Sequence, residues 1–363
     1  MAFLSDTCGK KCTYPRLHFQ RKEAYIPPIY IVEQGTKIRI HNRCVQIEKE
    51  NDGAVQVLCR SPIGTVSQIV IFGNIGLTTP AIGLFLEENI DVVFLSVHGE
   101  FRGRLATGLS PHIALRKAQY HCLDEPEFVL DLSIQFVRAK LQHQKALLQR
   151  HNRDLNSSIV SEDIEMLRAI LASLENKINL NSLRGAEGKA AAAYFEGFRQ
   201  LFGSEWKFQH RKKRPSPDPI NAILSFGYTL LAQNAVSAVQ VVGLDPFAGF
   251  LHSYAYNRAS LGMDLMEEFR PIVDGVALWC CRGGQIAPQD FCFDDPNYPC
   301  LMNDRAKKVL ITAFENRMDS GYTHPLTKTK LSMRQCMIEQ ARQIAEGLRK
   351  YPQPFRWIPM GFR

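Results

Sequence analysis

The period of the apolar pattern changes once along this chain, and that change limits what it can fold into. From residue 28 to 106 the apolar positions alternate or run together in β-branched clusters: "PIYIVE" (28–33), "TKIRIHN" (36–42), "RCVQIEKE" (43–50) and "AVQVLC" (54–59), with "HNR" and "NDG" as turns. "QIVIFG" (68–73) and "DVVFLSV" (91–97) read as short buried strands, and "EFRGRLA" (100–106) as a last one. One helix is expected between them, "TPAIGLFLEEN" (79–89), with Thr79 as its cap and Pro80 in its first turn. After "TGLSP" (107–111) the period becomes helical. It stays so through "HIALRKAQYHC", "EPEFVLDLSIQFVRAKLQHQKALLQRH", "SEDIEMLRAILASLENKI", "SLRGAEGKAAAAYFEGFRQLFG", "PINAILSFGYTLLAQNAVSAVQVVG", "NDRAKKVLITAFENRM" and "SMRQCMIEQARQIAEGLRK". The expected fold class is α+β. A small β-rich domain (28–106) precedes a larger all-helical domain (107–363), after an N-terminal extension (1–27) of unknown role. "CRGGQIAPQDFCFDDPNYPC" (281–300) reads as a loop.

Composition is ordinary for a globular chain of 363 residues, and the formal net charge of +8 leans mildly towards an anionic partner. The uncharged run at 61–86 is long enough to span a bilayer, but Gln68, Asn74, Thr78, Thr79 and Pro80 interrupt it; strand, turn and helix fit it better. The start of the chain has no apolar signal core, so a soluble, cytoplasmic protein with no membrane partner is expected. Its ten cysteines lack a regular metal-binding spacing and are expected as reduced thiols.

Four stretches carry candidate chemistry. In "SLGMDLMEEFRP", a helix expected from Ser260 puts Leu261, Leu265, Phe269 and Ile272 on one side and Asp264 and Glu267 on the other. Such a pair can share a cation, and it can equally face water. His252 closes the apolar run "GLDPFAGFL"; a satisfied core histidine and a ligand are both open readings. Glu187 lies among Gly185, Gly188 and a run of alanines, where small neighbours let another helix pack close. Burying a lone carboxylate there is costly unless a cation neutralises it. Arg211, Lys212, Lys213 and Arg214 form a basic run that is either a solvated face or a phosphate contact. Together Glu187, His252, Asp264 and Glu267 offer one nitrogen, several oxygens and no thiolate. That set suits Mn²⁺ or Mg²⁺ and points to metal-dependent phosphoryl transfer.

These motifs, in this order, resemble the CRISPR-associated integrase and endonuclease family, Cas1. The likeness is carried by "LRGAEGKAAAAYF", "RPSPDPINAILSFGYTLL", "GLDPFAGFLH" and "SLGMDLMEEFRPIVD". "PHIALRKAQY" and "HPLTKTKLSMRQCMIEQARQIAEGLR" extend it from about residue 28 to the end. The resemblance implies metal ligands at Glu187, His252 and Glu267, with Asp264 as an acidic catalytic partner. It implies phosphodiester transesterification, in which the 3′-hydroxyls of prespacer DNA attack the CRISPR repeat. It also implies a homodimer formed through the β-rich domain, the small companion protein Cas2, and an iron–sulfur adaptation exonuclease as a further partner. Arg184 and Arg258 join the basic run as expected DNA contacts. Where the family usually has glycine, Asn257 precedes Arg258; asparagine tolerates the left-handed backbone such a loop needs. Alanine at His252 or Glu267 is expected to abolish integration with little effect on folding. A casposon-type integrase and a catalytically idle DNA-binding scaffold are the alternatives. The first is disfavoured because no further DNA-binding domain follows "YPQPFRWIPMGFR", the second because the ligand set is intact.

Overall fold

The computed structural model describes residues 28–51, 54–97, 99–105, 112–212, 215–293 and 299–361. The N-terminal extension, with Cys8 and Cys12, lies outside them, as do Lys213 and Arg214. The chain divides between Leu109 and Ser110 into two compact units, three residues beyond the boundary expected from the change of period.

The first unit holds two four-stranded sheets. In one, β1 (Ile29–Ile31), β5 (Gln68–Phe72) and β7 (Asp91–Leu95) run parallel, and β8 (Phe101–Leu105) closes the edge antiparallel. In the other, β2 (Thr36–His41), β3 (Cys44–Asn51) and β4 (Ala54–Pro62) form an antiparallel meander, with β6 (Gly76–Leu77) parallel to β2. The alternation in "TKIRIH" survives as Ile38 buried between exposed Lys37 and Arg39. Every residue of "QIVIF" is buried, as a strand covered on both faces requires. Ile31, Ile38, Ile47, Ile69 and Val92 of the two sheets share one core with Ala81 and Phe85 of the helix α1 (Thr79–Glu87). Its cap position falls on Thr78, one residue before the expected Thr79. The parallel pairing was not legible beforehand, since apolar runs fix strands but not partners.

The second unit is helical: α2 (Ile113–Leu123), α3 (Pro126–Leu155), α4 (Ser158–Ala172), α5 (Leu180–Arg199), α6 (Pro219–Val242), α7 (Ser260–Glu267), α8 (Arg270–Arg282), α9 (Asp304–Asp319) and α10 (Met333–Lys350). The chain is therefore α+β, as expected. Caps fix several helix starts. Asn179 and Ser182 form a reciprocal box at α5, and Asp218 accepts from Asn221 N at 2.9 Å ahead of Pro219 at α6. Two short strand pairs, β9 (Phe291–Cys292) with β10 (Leu301–Met302) and β11 (Gly321–Thr323) with β12 (Lys330–Ser332), interrupt the helices. They are too short for a periodic signal.

Among the described residues one helix, α6, is long and apolar enough to cross a membrane; most of its apolar window is buried inside the unit, where it packs against α7, α8 and α10. The uncharged run at 61–86 is broken into the end of β4, a 3₁₀ turn, β5, β6 and most of α1. α3 packs against α4, α5, α7 and α8, so α7 sits between the two long helices, α3 and α6. The segment after α10 then returns across this core. Met360 N donates to Glu268 Oε1 at 2.5 Å, and Gln340 Nε2 donates to Glu268 Oε2 at 2.7 Å.

Burial pushes the Glu268 carboxyl up to about 8, against the lowering effect of those two hydrogen bonds. A carboxyl raised from 4.5 in the unfolded chain binds a proton only in the folded state between those two pH values. Its contribution to stability is therefore complete below pH 4.5 and is lost as pH rises to about 8. Urea unfolding of the wild type and of Glu268→Gln at a series of pH values should show this slope in the first and a flatter profile in the second.

Candidate active site

The site is assembled on α7, whose sequence departs from a simple amphipathic helix in outcome. All of its residues but Met263 are buried, including Asp264 and Glu267, so the water-facing reading of these carboxylates does not hold. The helix also ends sooner than expected. Pro271 has no N–H to offer the Glu267 carbonyl, and its ring crowds that position, so α7 stops at Glu267 and α8 restarts at Arg270.

Asp264 is spent entirely on the loop before α7. Its Oδ2 accepts from Phe250 N at 2.6 Å and Leu251 N at 3.0 Å. Its Oδ1 accepts from His252 N at 2.9 Å and from His252 Nδ1 at 2.7 Å. Three successive amides therefore converge on one fully buried carboxylate. Gly249 lets the loop approach, since a Cβ there would lie 2.6 Å from the Ser260 carbonyl carbon. A carboxylate can only accept, so Nδ1 is the donating nitrogen, and Nε2 is the ring atom left to face a ligand. That nitrogen lies 3.9 Å from Glu267 Oε1. Asp264, expected among the catalytic carboxylates, has no oxygen left for a cation; it sets the tautomer and direction of His252.

Glu267 and Glu187 meet on a cation that the sequence reading missed. Lys140, on α3, places Nζ 2.6 Å from Glu187 Oε1 and 2.7 Å from Glu267 Oε2. Arg270 binds the other side of Glu267, with Nε and Nη2 both 2.8 Å from Oε1. Burial alone would raise the Glu267 carboxyl, but Arg270 and Lys140 outweigh it and hold it well below the usual range. The same carboxylates hold the Lys140 ammonium above its ordinary value, although burial opposes this. Beneath Arg270 lies a polar floor. Its guanidinium sits 4.8 Å above the Tyr228 ring, and Tyr194 and Tyr228 donate to Asp274 at 2.6 and 2.5 Å.

Three donors could hold a divalent ion here: Glu187, Glu267 and His252 Nε2. Their chemistry fits a hard cation. One atom asks for it in particular: Glu267 Oε2 is buried and makes no hydrogen bond of good geometry, although it lies against a positive charge. Among the described residues, however, no three His, Cys, Asp or Glu side chains are drawn close enough together to grip an ion as they stand.

The expected DNA contacts divide. Arg211 donates to Asn221 Oδ1 at 2.7 Å and Ser225 Oγ at 3.1 Å and lies 5.5 Å over Tyr228, so its fork is engaged inside the unit. Arg184 donates to Leu251 O at 2.7 Å, bracing the loop at His252. Arg258 donates to Ser253 O, closing that loop on itself. Lys212 is exposed. Asn257 takes φ +57°, the left-handed conformation for which asparagine suits this loop.

The cluster changes one expectation drawn from the sequence. Removing Glu267 would leave Lys140 and Arg270 buried against each other without their shared anion. Glu267→Ala should cost about 3–5 kcal/mol of stability, read by urea unfolding, rather than leave folding untouched.

The comparisons with known proteins agree with this architecture. The family model described as CRISPR associated protein Cas1 matches residues 29–316. CRISPR-associated endonuclease Cas1 3 of Thermus thermophilus is 33% identical over 320 residues, covering 88% of this chain and 91% of its own. CRISPR-associated endonuclease Cas1 2 of Rhodospirillum rubrum is 34% identical, covering 91% and 98%. A Cas4 exonuclease/Cas1 endonuclease fusion of Geobacter sulfurreducens is 32% identical over 88% of this chain and 58% of its own. Among solved structures, a casposase bound to integration product superposes with a TM-score of 0.78 at 23% identity, over 89% of this chain and 91% of that one. A Cas1 protein from Thermotoga maritima superposes at 0.74 and 22%, over 92% and 98%. Structural likenesses at that identity speak for the fold; the family model and the sequence relatives establish that this chain belongs to the Cas1 family.

Proposed function

We propose that the chain is a metal-dependent DNA integrase that inserts prespacer DNA into a CRISPR array. The observation that carries this reading is the meeting of Glu187 and Glu267 on one cation beside His252 Nε2, in the helical unit of a Cas1-family chain. A bound Mg²⁺ or Mn²⁺ would supply neutralisation of the phosphodiester and activation of the attacking oxygen. This chain's own residues do the holding. Glu187 and Glu267 present oxygens, His252 presents Nε2, and Asp264 acts through His252 as a positioning residue. In the reaction, a 3′-hydroxyl oxygen of the prespacer forms a bond to phosphorus as the repeat strand's own 3′ oxygen leaves and takes up a proton. One phosphodiester replaces another, so no external energy source is needed. Lys212 and the neighbouring Lys213 and Arg214, with Arg258 at the loop, are proposed to contact phosphates, which position DNA without reading its sequence.

Several named relatives and neighbours support the wider assembly. A solved Cas6–RT–Cas1–Cas2 complex contains a chain of this fold, with a TM-score of 0.77. The fusion relative joins a Cas4 exonuclease to a Cas1 endonuclease. We take Cas2 and an adaptation exonuclease as partners on that basis. The casposon reading has the casposase fold likeness in its favour, but the sequence relatives above 30% identity that are described here carry Cas1 names.

Two measurements test the proposal. With Mn²⁺ supplied, Glu187→Gln and His252→Ala should reduce strand transfer of a labelled prespacer into repeat DNA to background. Asp264→Asn should reduce it about 10–100-fold through misorientation of His252. Wild-type transfer by His252→Ala would reject the site. A spacer must also be joined at both ends, and the described residues of each chain offer one such donor set, so a homodimer is expected through the β-rich unit. Its edge strands support this: Val55 and Val57 on β4 and Phe101 on β8 are exposed. Light scattering should give a mass near twice 41.2 kDa; a monomer that integrates both ends unaided would reject it.

A further inference from the structure

Lys140 has no place in the reaction just described, yet it occupies the centre of the donor set. Its Nζ lies at hydrogen-bond distance from both Glu187 and Glu267, the two carboxylates assigned to the ion. The α3 backbone it extends from is fixed: Phe136, Val137 and Leu141 around it are fully buried. Its contacts with the two oxygens are unequal. One is a hydrogen bond to Glu187, whereas the approach to Glu267 Oε2 has the distance of an ion pair without the direction of a hydrogen bond. An ammonium held by charge more than by geometry, on a stem of four methylenes, can be moved aside. Arg270 has no such freedom, since two of its nitrogens engage Glu267 Oε1 from the opposite side. A divalent ion between Glu187 and Glu267 would need the volume that Nζ fills, and two cations cannot share it at such range.

We propose that Lys140 is an internal stand-in for the metal: its ammonium holds the two carboxylates in place while the ion is absent and must be displaced for the ion to enter. The inference rests on the metal reading and adds a competitor to it. The stand-in keeps Glu187 and Glu267 from repelling each other in the empty protein, so the two carboxylates stay side by side, and it sets a cost on loading. Metal affinity is then fixed partly by a residue that never touches the metal.

Mn²⁺ binding to the purified full chain, followed by electron paramagnetic resonance of the free ion at pH 8, tests this. Lys140→Met keeps the stem and removes the charge. It should bind Mn²⁺ about ten-fold or more tightly than the wild type, while its metal-free form melts at a lower temperature. Lys140→Arg, which keeps the charge, should bind no more tightly than the wild type. Unchanged or weaker binding by Lys140→Met overturns the stand-in and makes Lys140 a strut for the ligands. Because the Met variant could fail to fold, the wild type supplies a second test. In a structure with Mn²⁺ bound, Nζ should have left one or both carboxylates; Nζ still bonded to both beside the ion overturns the proposal. If the wild type shows no Mn²⁺ binding that Glu187→Gln removes, the metal reading itself has failed and the stand-in with it.

Discussion

A carboxylate with almost none of its surface in water cannot stay ionised in a helical core by itself. Glu267 does so because Lys140 and Arg270 approach it from two sides. The arrangement of the helices follows from that demand. α3 must bring Lys140 inwards, α8 must restart at Arg270, and α5 must pass near enough for Glu187 to share the ammonium. Arg270 follows Glu267 by three residues, the spacing at which helical side chains meet, and the helical turn through Glu268 and Phe269 keeps them adjacent.

Asp264 solves a different problem with the same kind of group. Its two oxygens take four hydrogen bonds, three of them from consecutive amides. Backbone donors that would otherwise be buried without partners are satisfied, and the imidazole is aimed by the same atom that secures its own backbone N–H. Loop shape and side-chain direction are therefore one event. Arg184 reinforces it from α5 by reaching the Leu251 carbonyl, so the loop is held at the residue before His252 from two helices.

The division into a strand-forming part and a helical part was legible because period depends on local sequence alone. The proposed ligand set came from resemblance, since spacing alone left Asp264 and Glu267 free to face water. Lys140 was not seen, yet its trace is there. It lies one turn after Phe136 and two turns before Leu147 and falls on the stripe that α3 buries. A lysine on such a stripe asks for an anion, and Glu187 had already been identified as a carboxylate in need of a cation. What sequence could not supply was that the two requirements are met by each other across helices 47 residues apart. Arg211 failed in the opposite sense. A basic run reads as exposed, but its first member points inward to Asn221 and Tyr228, because α6 begins just beyond it.

The segment after α10 ties α3 to the residue that follows Glu267. Trp357 N donates to Gln135 of α3, and Met360 N donates to Glu268, the residue next to Glu267. His143, one turn beyond Lys140, is held between the Glu268 and Met360 carbonyls. None of these contacts can form until residues 357–360 have left the ribosome. Glu268 thus waits for a partner 92 residues further along, and a growing chain carries α3 and α7 well before it carries the segment that ties them together.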